Sequence, residues 1–135
     1  MRTRAAAVVV NDSAVVLMRR FRNDMTYYVL PGGGIEPGET AEHACIRELR
    51  EETGLEGRIV RLLVTLDNEG STEHYFLVAA DRAELRLGHG PEAMVDSASD
   101  SYRPMWVPLS HVQDLDLRPA TIRADVVRWG SAEGA

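Results

Sequence analysis

Apolar and polar positions change period several times along this chain, and each change marks an element. Residues 4 to 10 (RAAAVVV) and 14 to 20 (AVVLMRR) are rich in apolar and β-branched residues and flank "NDS". Such runs read as strands, with Asn-Asp-Ser as the hairpin turn between them. A third short run, "YYVL" at 27 to 30, leads straight into "PGGG". Proline followed by glycines neither continues a regular strand nor begins an ordinary helix. The chain is therefore expected to turn there with its backbone exposed, and Pro37 and Gly38 extend the loop.

The period then becomes that of a helix. Thr40 is a suitable N-cap, Glu42 favours the dipole in the first turn, and the pattern runs to about Thr53 before Gly54 stops it. Ile46 and Leu49 supply a packing face, while Ala41, Ala44 and Cys45 let a sheet approach closely. Two more strands are predicted at 58 to 66 (RIVRLLVTL) and 73 to 80 (EHYFLVAA), followed by a polar, turn-rich stretch at 88 to 101 that reads as a mobile loop. "YRPMWVPL" reads as a last strand with Trp106 in the core, and "PATIRADVVRW" as a C-terminal helix packed by Trp129. The end, "GSAEGA", is expected to fray. Hairpin-paired strands interrupted by helices predict an α/β fold with a mixed sheet between helices.

Composition narrows this picture. With 135 residues, 44% hydrophobic and 27% charged, the chain suits a single domain, placed at 1–130 with a short tail at 131–135. No run reaches the roughly 18 to 20 apolar residues of a membrane span, and the first residues read as strand rather than leader. A cytoplasmic protein with no membrane partner is expected. Cys45 is the only cysteine, which excludes an intrachain disulfide and a cysteine-rich zinc site; its apolar neighbours predict a buried core residue, not a nucleophile. All fifteen basic residues are arginine, and the net charge of -6 argues against a broad surface for a nucleic acid polymer. A small phosphorylated ligand stays open, because a divalent cation inverts the local field.

The chemistry concentrates in "GGIEPGETAEHACIRELREETGL", residues 33 to 55. Glu48, Glu51 and Glu52 stand at i, i+3 and i+4, within an arc of roughly 100° on one helix face. Like charges so placed repel by a few tenths of a kcal/mol per pair. Binding cations relieves that repulsion. Glu48 and Glu52, one turn apart, are placed to share a Mg²⁺, and Glu51 to extend the site to a second ion. The turn at 32 to 34 can offer a carbonyl to the metal and N–H groups to phosphate oxygens. The competing reading is an ordinary solvated acidic face with surface ion pairs such as Arg47 with Glu51.

The full string favours the first reading. Gly33, Glu39, Arg47, Glu48, Leu49, Glu51, Glu52, Gly54 and Leu55, at these spacings, resemble the Nudix box at every defining position. The order of strands, the "LPGGG" before the box and the later "WVPL" are also similar to small members of the Nudix hydrolase superfamily. The resemblance implies the Nudix fold, an α/β/α sandwich, and a MutT-like hydrolase that cleaves the pyrophosphate bond of a nucleoside diphosphate derivative with Mg²⁺ or Mn²⁺. It implies a catalytic set of Arg47, Glu48, Glu51 and Glu52. The three glutamates would ligate metal together with the Gly32 carbonyl, and one of them would serve as general base. Arg47 would hold a glutamate in place, Glu39 would lock the loop to the helix, and Gly33, Gly38 and Gly54 would set backbone geometry.

Outside the box the signal is thinner. In some relatives the base lies elsewhere, which makes Glu92 and Glu73 candidates, although ordinary surface roles are favoured for both. Arg2, Arg4, Arg19, Arg20 and Arg22 lie on the first two strands; alternation turns about half of them away from any site, and Arg4 alone is favoured as a substrate ligand. Tyr28 either stacks on a nucleobase or packs the sheet. His43, His74, His89 and His111 show no zinc-type spacing. The chain lacks the N-terminal region common in ADP-ribose hydrolases of the superfamily, so the expected reaction takes a (d)NTP or oxidised (d)NTP to the monophosphate plus pyrophosphate. ADP-ribose, nucleotide sugars and dinucleoside polyphosphates are the alternatives. A catalytically silent nucleotide-sensing module is the non-enzyme alternative, disfavoured because no box glutamate is missing. The expected partner is a small nucleotide-type molecule, and a homodimer is compatible with the superfamily.

Overall fold

The computed structural model describes residues 2–85 and 100–133. Its elements are β1 (Arg2–Asn11), β2 (Ala14–Arg22), β3 (Met25–Val29), β4 (Gly32–Gly34), α1 (Ala41–Thr53), β5 (Arg58–Asn68), β6 (Ser71–Ala79), β7 (Asp100–Pro108), α2 (Leu109–Val112), a 3-10 turn at Ala120–Ile122 and α3 (Arg123–Glu133). The predicted loop at 88 to 101 lies outside the described residues, apart from its last two, which open β7.

Among the described residues, three hairpins turn on two residues each, and all six turn residues are left-handed. They are Asp12 and Ser13 (φ 52° and 59°), Asn23 and Asp24 (54° and 58°), and Glu69 and Gly70 (52° and 85°). Two successive left-handed residues match the right-handed twist of the flanking strands, which is why short hairpins use them.

Among the described residues, seven strands form one sheet in the order β3-β2-β1-β6-β5, with β4 added on β1 and β7 on β2. The sheet is mixed: β1 pairs β6 in parallel from Arg2 with Ser71 to Val9 with Val78, and every other pairing is antiparallel. The hairpin of β1 and β2 keeps only two register pairs, Val10 with Val15 and Asn11 with Ala14, before its arms part. On the edge thus freed, β2 takes β3 and β1 takes β4. Leu30 and Pro31 carry the chain from one arm to the other.

Alternation sorts the apolar side chains onto two faces. Ala5, Ala7 and Val9 of β1, with Val16, Phe76 and Val78, meet Ala44, Cys45 and Leu49 of α1. On the opposite face Val8, Val15, Leu17 and Leu77 meet Val112, Leu117, Ile122 and Val126. Helices thus cover the sheet on both faces, in the α/β/α order expected.

Two elements differ from the sequence reading. The glycines after Pro31 were expected to leave regular structure; instead Gly32–Gly34 form β4, with Ala5 across from Gly33. Glycine lowers strand propensity, but tertiary contact overrides it here: a Cβ on Gly32 would stand 2.4 Å from Ala5 O, so only a bare backbone can lie this close to β1. The short α2 was not anticipated. Trp106, expected in the core, is half-buried, and its indole N–H donates to Ala83 O (2.9 Å). Trp129 packs against the core as expected, while α3 continues to Glu133, into the segment expected to fray.

Candidate active site

Thr40 starts α1 by accepting the His43 N–H (3.1 Å), and Gly54 ends it in the left-handed region (φ 78°), its N–H donating to Arg50 O (2.9 Å). The helix buries Ala44, Cys45, Leu49 and Thr53 against the sheet, and Glu48 and Glu52 with them. Two carboxylates on a buried face need compensation, because desolvating an isolated charge is very costly. Each finds a different one.

Glu52 is fully buried and takes neutral donors. The Gly32 N–H donates to Oε1 (2.7 Å) and the Tyr102 hydroxyl to Oε2 (2.7 Å). The first bond follows from strand register. Ala7 N–H donates to Pro31 O (2.9 Å) and Ile35 N–H to Thr3 O (3.1 Å). Since in-ladder pairs alternate, Gly33 bonds to β1, whereas Gly32 and Gly34 turn their backbone groups away from it. Gly32 thereby reaches Glu52, and the Gly34 carbonyl accepts from Arg47 (3.1 Å).

Glu48 takes a charged donor. Arg47 Nη1 donates to its Oε1 (2.9 Å) and reaches Glu51 at 3.5 Å, while the rest of the guanidinium forks onto both oxygens of Glu39 (2.8 and 3.0 Å). Glu39 also accepts the Glu36 N–H (3.0 Å), so it ties the loop before the helix to Arg47. These bonds, that of Arg47 first, hold the Glu39 carboxyl down at about 2. Hydrogen bonding to Glu39, and next to Glu48, in turn holds Arg47 more firmly protonated. The acidic stripe was expected to depend on cations for its compensation; a guanidinium and neutral donors already supply much of it. Glu51 is the least enclosed of the three, its side chain 30% exposed.

The donors in this cluster are hard oxygens, the kind Mg²⁺ and Mn²⁺ take. The glycine strand also leaves room beside Glu48 that a side chain would fill, a Cβ on Gly33 standing 2.5 Å from Glu48 Cδ. In kind, the residues fit a divalent ion. Among the described residues no three His, Cys, Asp or Glu side chains already converge as a ligating group, because Arg47, Tyr102 and the Gly32 N–H hold the glutamates.

Beside Glu48 and the glycine strand lies a cleft of about 350 Å³, walled by Arg2, Arg4, Arg20, Arg22, Tyr27 and Tyr102. A larger one, about 600 Å³, adjoins it; Arg4 and Val29 line both, and Asn68, Glu73, Tyr75, Asp116 and Arg118 line the second. Arg4 was the favoured arginine, but Arg2, Arg20 and Arg22 share its cleft. The i, i+2 spacing on each strand is the signal that could have grouped them. Tyr28 lines neither cleft: it packs on the core beside Leu117, its backbone bonded to Asp116 and Arg118, whereas its neighbour Tyr27 lines the smaller cleft together with Tyr102. Glu73 lines the larger cleft, across from Arg4, and accepts the Tyr75 hydroxyl (2.6 Å), whereas Glu48 lines the smaller one. Glu92 and His89 lie outside the described residues. Tyr102, buried on β7, carries no sequence signal of its own; its partner Glu52 is fifty residues away.

The NUDIX domain profile matches residues 1–130. The chain belongs to the Nudix family. A Bacillus subtilis protein named as a candidate 8-oxo-dGTP diphosphatase is 47% identical over 50 residues, covering 37% of this Nudix chain and 33% of that protein. An RNA pyrophosphohydrolase of Legionella pneumophila is 37% identical over 94 residues, 70% of this chain and 49% of that one. The match thus spans a third to a half of these relatives' lengths. In fold, the Nudix chain superposes on a MutT structure, from work on Aliivibrio salmonicida and Vibrio cholerae, with a TM-score of 0.68 and 23% identity over 98% of each chain.

Proposed function

We propose that this Nudix chain is a pyrophosphohydrolase that uses a divalent cation, Mg²⁺ or Mn²⁺, to cleave the pyrophosphate bond of a nucleotide, converting a (d)NTP or oxidised (d)NTP and water to the monophosphate and pyrophosphate. One observation carries the reading: Glu48 and Glu52 meet a bare glycine strand beside an arginine-walled cleft that Glu48 lines, and Glu51 is joined to Glu48 through Arg47. Those glutamates and the Gly32 carbonyl would hold the ion, which when bound neutralises phosphate oxygens and makes its water more acidic. Arg47 positions Glu48 and Glu51 and keeps the glycine strand against the helix through Gly34. A box glutamate takes the proton of the attacking water as the new P–O bond forms and the bridging P–O bond breaks. The arginines bind the phosphate chain, and the larger cleft beside them has room for the nucleoside, with Asn68 and Asp116 among its polar edges. The relatives' names, 8-oxo-dGTP diphosphatase and RNA pyrophosphohydrolase, both denote hydrolysis of a phosphate anhydride.

Pyrophosphate release should be measured on a panel of nucleoside triphosphates, oxidised nucleotides and ADP-ribose, with Mg²⁺ and with a chelator. Activity should require the ion and fall at least about a hundredfold in both Glu51→Gln and Glu52→Gln. Full Mg²⁺-dependent activity in either variant would sink the proposed ligand set.

A further inference from the structure

The wedge between β1 and β2 has a use beyond the anhydride to be cut. After two register pairs the hairpin arms part, and at their open end each carries two arginines at i, i+2: Arg2 and Arg4 on β1, Arg20 and Arg22 on β2. Successive same-face positions lie about 6–7 Å apart along a strand. Each strand therefore offers an inner and an outer arginine; by alternation the β1 pair lies on the face of Val8 and the β2 pair on that of Val16, and the two pairs come together only where the arms part, in the cleft that all four line. Of the two inner arginines, Arg4 stands across from Gly34, and Arg20 stands across from Tyr102 with its guanidinium 5.0 Å over that ring. Both are half-buried, next to the glycine strand and the tyrosine that holds Glu52. Arg2 and Arg22, the outer pair, are exposed at the mouth of the same cleft.

Exposed arginines at strand ends are ordinarily solubilising charges, most useful on sheet edges. That account suits β5, an edge strand, better than β1 and β2, which lie inside the sheet order. It also leaves unexplained why a chain of net charge -6 gathers four of its fifteen cations around one small cleft. The Glu48 carboxylate in that cleft is already engaged by Arg47. Glu73 stands across from Arg4 and Asp100 across from Arg22, so part of this charge is balanced; a concave wall focuses the remainder on whatever enters.

We propose that Arg2 and Arg22 select substrates by the length of their phosphate chain, favouring a nucleoside tri- or tetraphosphate over a two-phosphate diester such as ADP-ribose or a nucleotide sugar. The inference rests on the hydrolase reading for its place beside the scissile bond. The two phosphates of the bond to be cut lie between the glutamates and the inner arginines. A diester ends there, because each of its phosphates carries one charge and a neutral sugar follows. A third phosphate, doubly charged at its free end, extends to the outer pair, where a guanidinium binds it through charge-assisted hydrogen bonds.

The test compares inorganic tripolyphosphate with pyrophosphate by titration calorimetry on the full chain, with chelator present so that no metal contributes. The chain should bind tripolyphosphate at least about tenfold more tightly. The double variant Arg2→Gln/Arg22→Gln should bring that ratio close to one, Arg2→Lys/Arg22→Lys should restore part of it, and Arg61→Ala, on the distant edge strand, should leave it unchanged. On substrates, the glutamine variant should raise KM for a nucleoside triphosphate about tenfold with kcat nearly kept. Both outer arginines are exposed, so circular dichroism melts should match the parent chain. Equal affinity for the two anions, or a ratio that survives the glutamine variant, overturns the inference. Anion discrimination without hydrolysis of any nucleotide would overturn the hydrolase reading and keep this one; efficient cleavage of ADP-ribose with a ratio near one would do the reverse.

Discussion

Arg47 is the residue on which most of the site's charge depends. It reaches Glu39, Glu48 and Glu51 at 2.8 to 3.5 Å and Glu36 at 3.6 Å, with a side chain only 21% exposed. Removing it in Arg47→Ala leaves Glu39 and Glu48, both largely buried, facing each other without their cation, and should cost about 2–4 kcal/mol in urea unfolding. The linkage through Glu39 has a definite sign. Its folded carboxyl titrates near 2 instead of 4.5, so the folded state holds the anion more tightly. The stabilisation is complete above about pH 4.5 and is lost as pH falls toward 2. The stability difference between the parent chain and Glu39→Gln should therefore be flat well above pH 4.5, shrink as pH falls, and level off only below the folded value of about 2. Cys45 makes the opposite case: burial, and then the charge of Glu42, push its thiol up to about 12. A disulfide reagent at pH 8 should leave it unmodified until the chain unfolds. For Glu52 the sensitive partner is Tyr102, and Tyr102→Phe, which removes a donor to a buried carboxylate, should cost about 1–3 kcal/mol.

At the scale of elements, β4 and α1 act as one unit, and the three glycines of β4 are not equivalent. A methyl on Gly32 would press on the Ala5 carbonyl at 2.4 Å, and one on Gly33 on the Glu48 carboxylate at 2.5 Å, while one on Gly34 meets nothing within 4 Å. Gly32→Ala should destabilise the fold by about 1–3 kcal/mol. Gly33→Ala, whose obstacle is the end of a side chain, should spare the melting temperature more than activity, and Gly34→Ala should be tolerated in both. Melting curves and pyrophosphate release on the three variants check this order. The helix was legible from sequence because its caps and period are local: Thr40, Leu49 and Gly54 each declare their position within a turn or two. The strand was not, because nothing local in Pro-Gly-Gly-Gly favours extension. What makes β4 a strand is the close approach of β1, about thirty residues earlier, which no window of neighbours contains. Tyr102 was hidden for the same reason, and so were the outer arginines, whose grouping depends on two arms parting rather than on either strand alone.

For the molecule as a whole, a bound divalent ion should act on stability as well as on chemistry. Anything that binds only the folded state raises its melting temperature by mass action. Millimolar Mg²⁺ should therefore raise the melting temperature of the parent chain measurably, and the shift should vanish in Glu48→Gln. An unchanged shift in that variant would place the ion elsewhere. The α/β/α order could be read from sequence because hairpins and helices alternate in a pattern that few layer arrangements accommodate. The splay of the central hairpin could not, since it arises from competition among β3, β4 and the two arms for one shared edge.

The parallel ladder of β1 with β6 also sets a timetable for synthesis. The first strand made waits for residues 71 to 78 before its longest pairing can form, and closing so distant a contact is entropically slow. Glu52 waits longer still, until Tyr102 is available. On a ribosome, which extends the chain by about 5–20 residues per second, the box helix would be finished seconds before the second of the two donors that seat its buried carboxylate. Nascent chains arrested before residue 102 should therefore hold α1 loosely, and chains released past that point should lock it in a single late step.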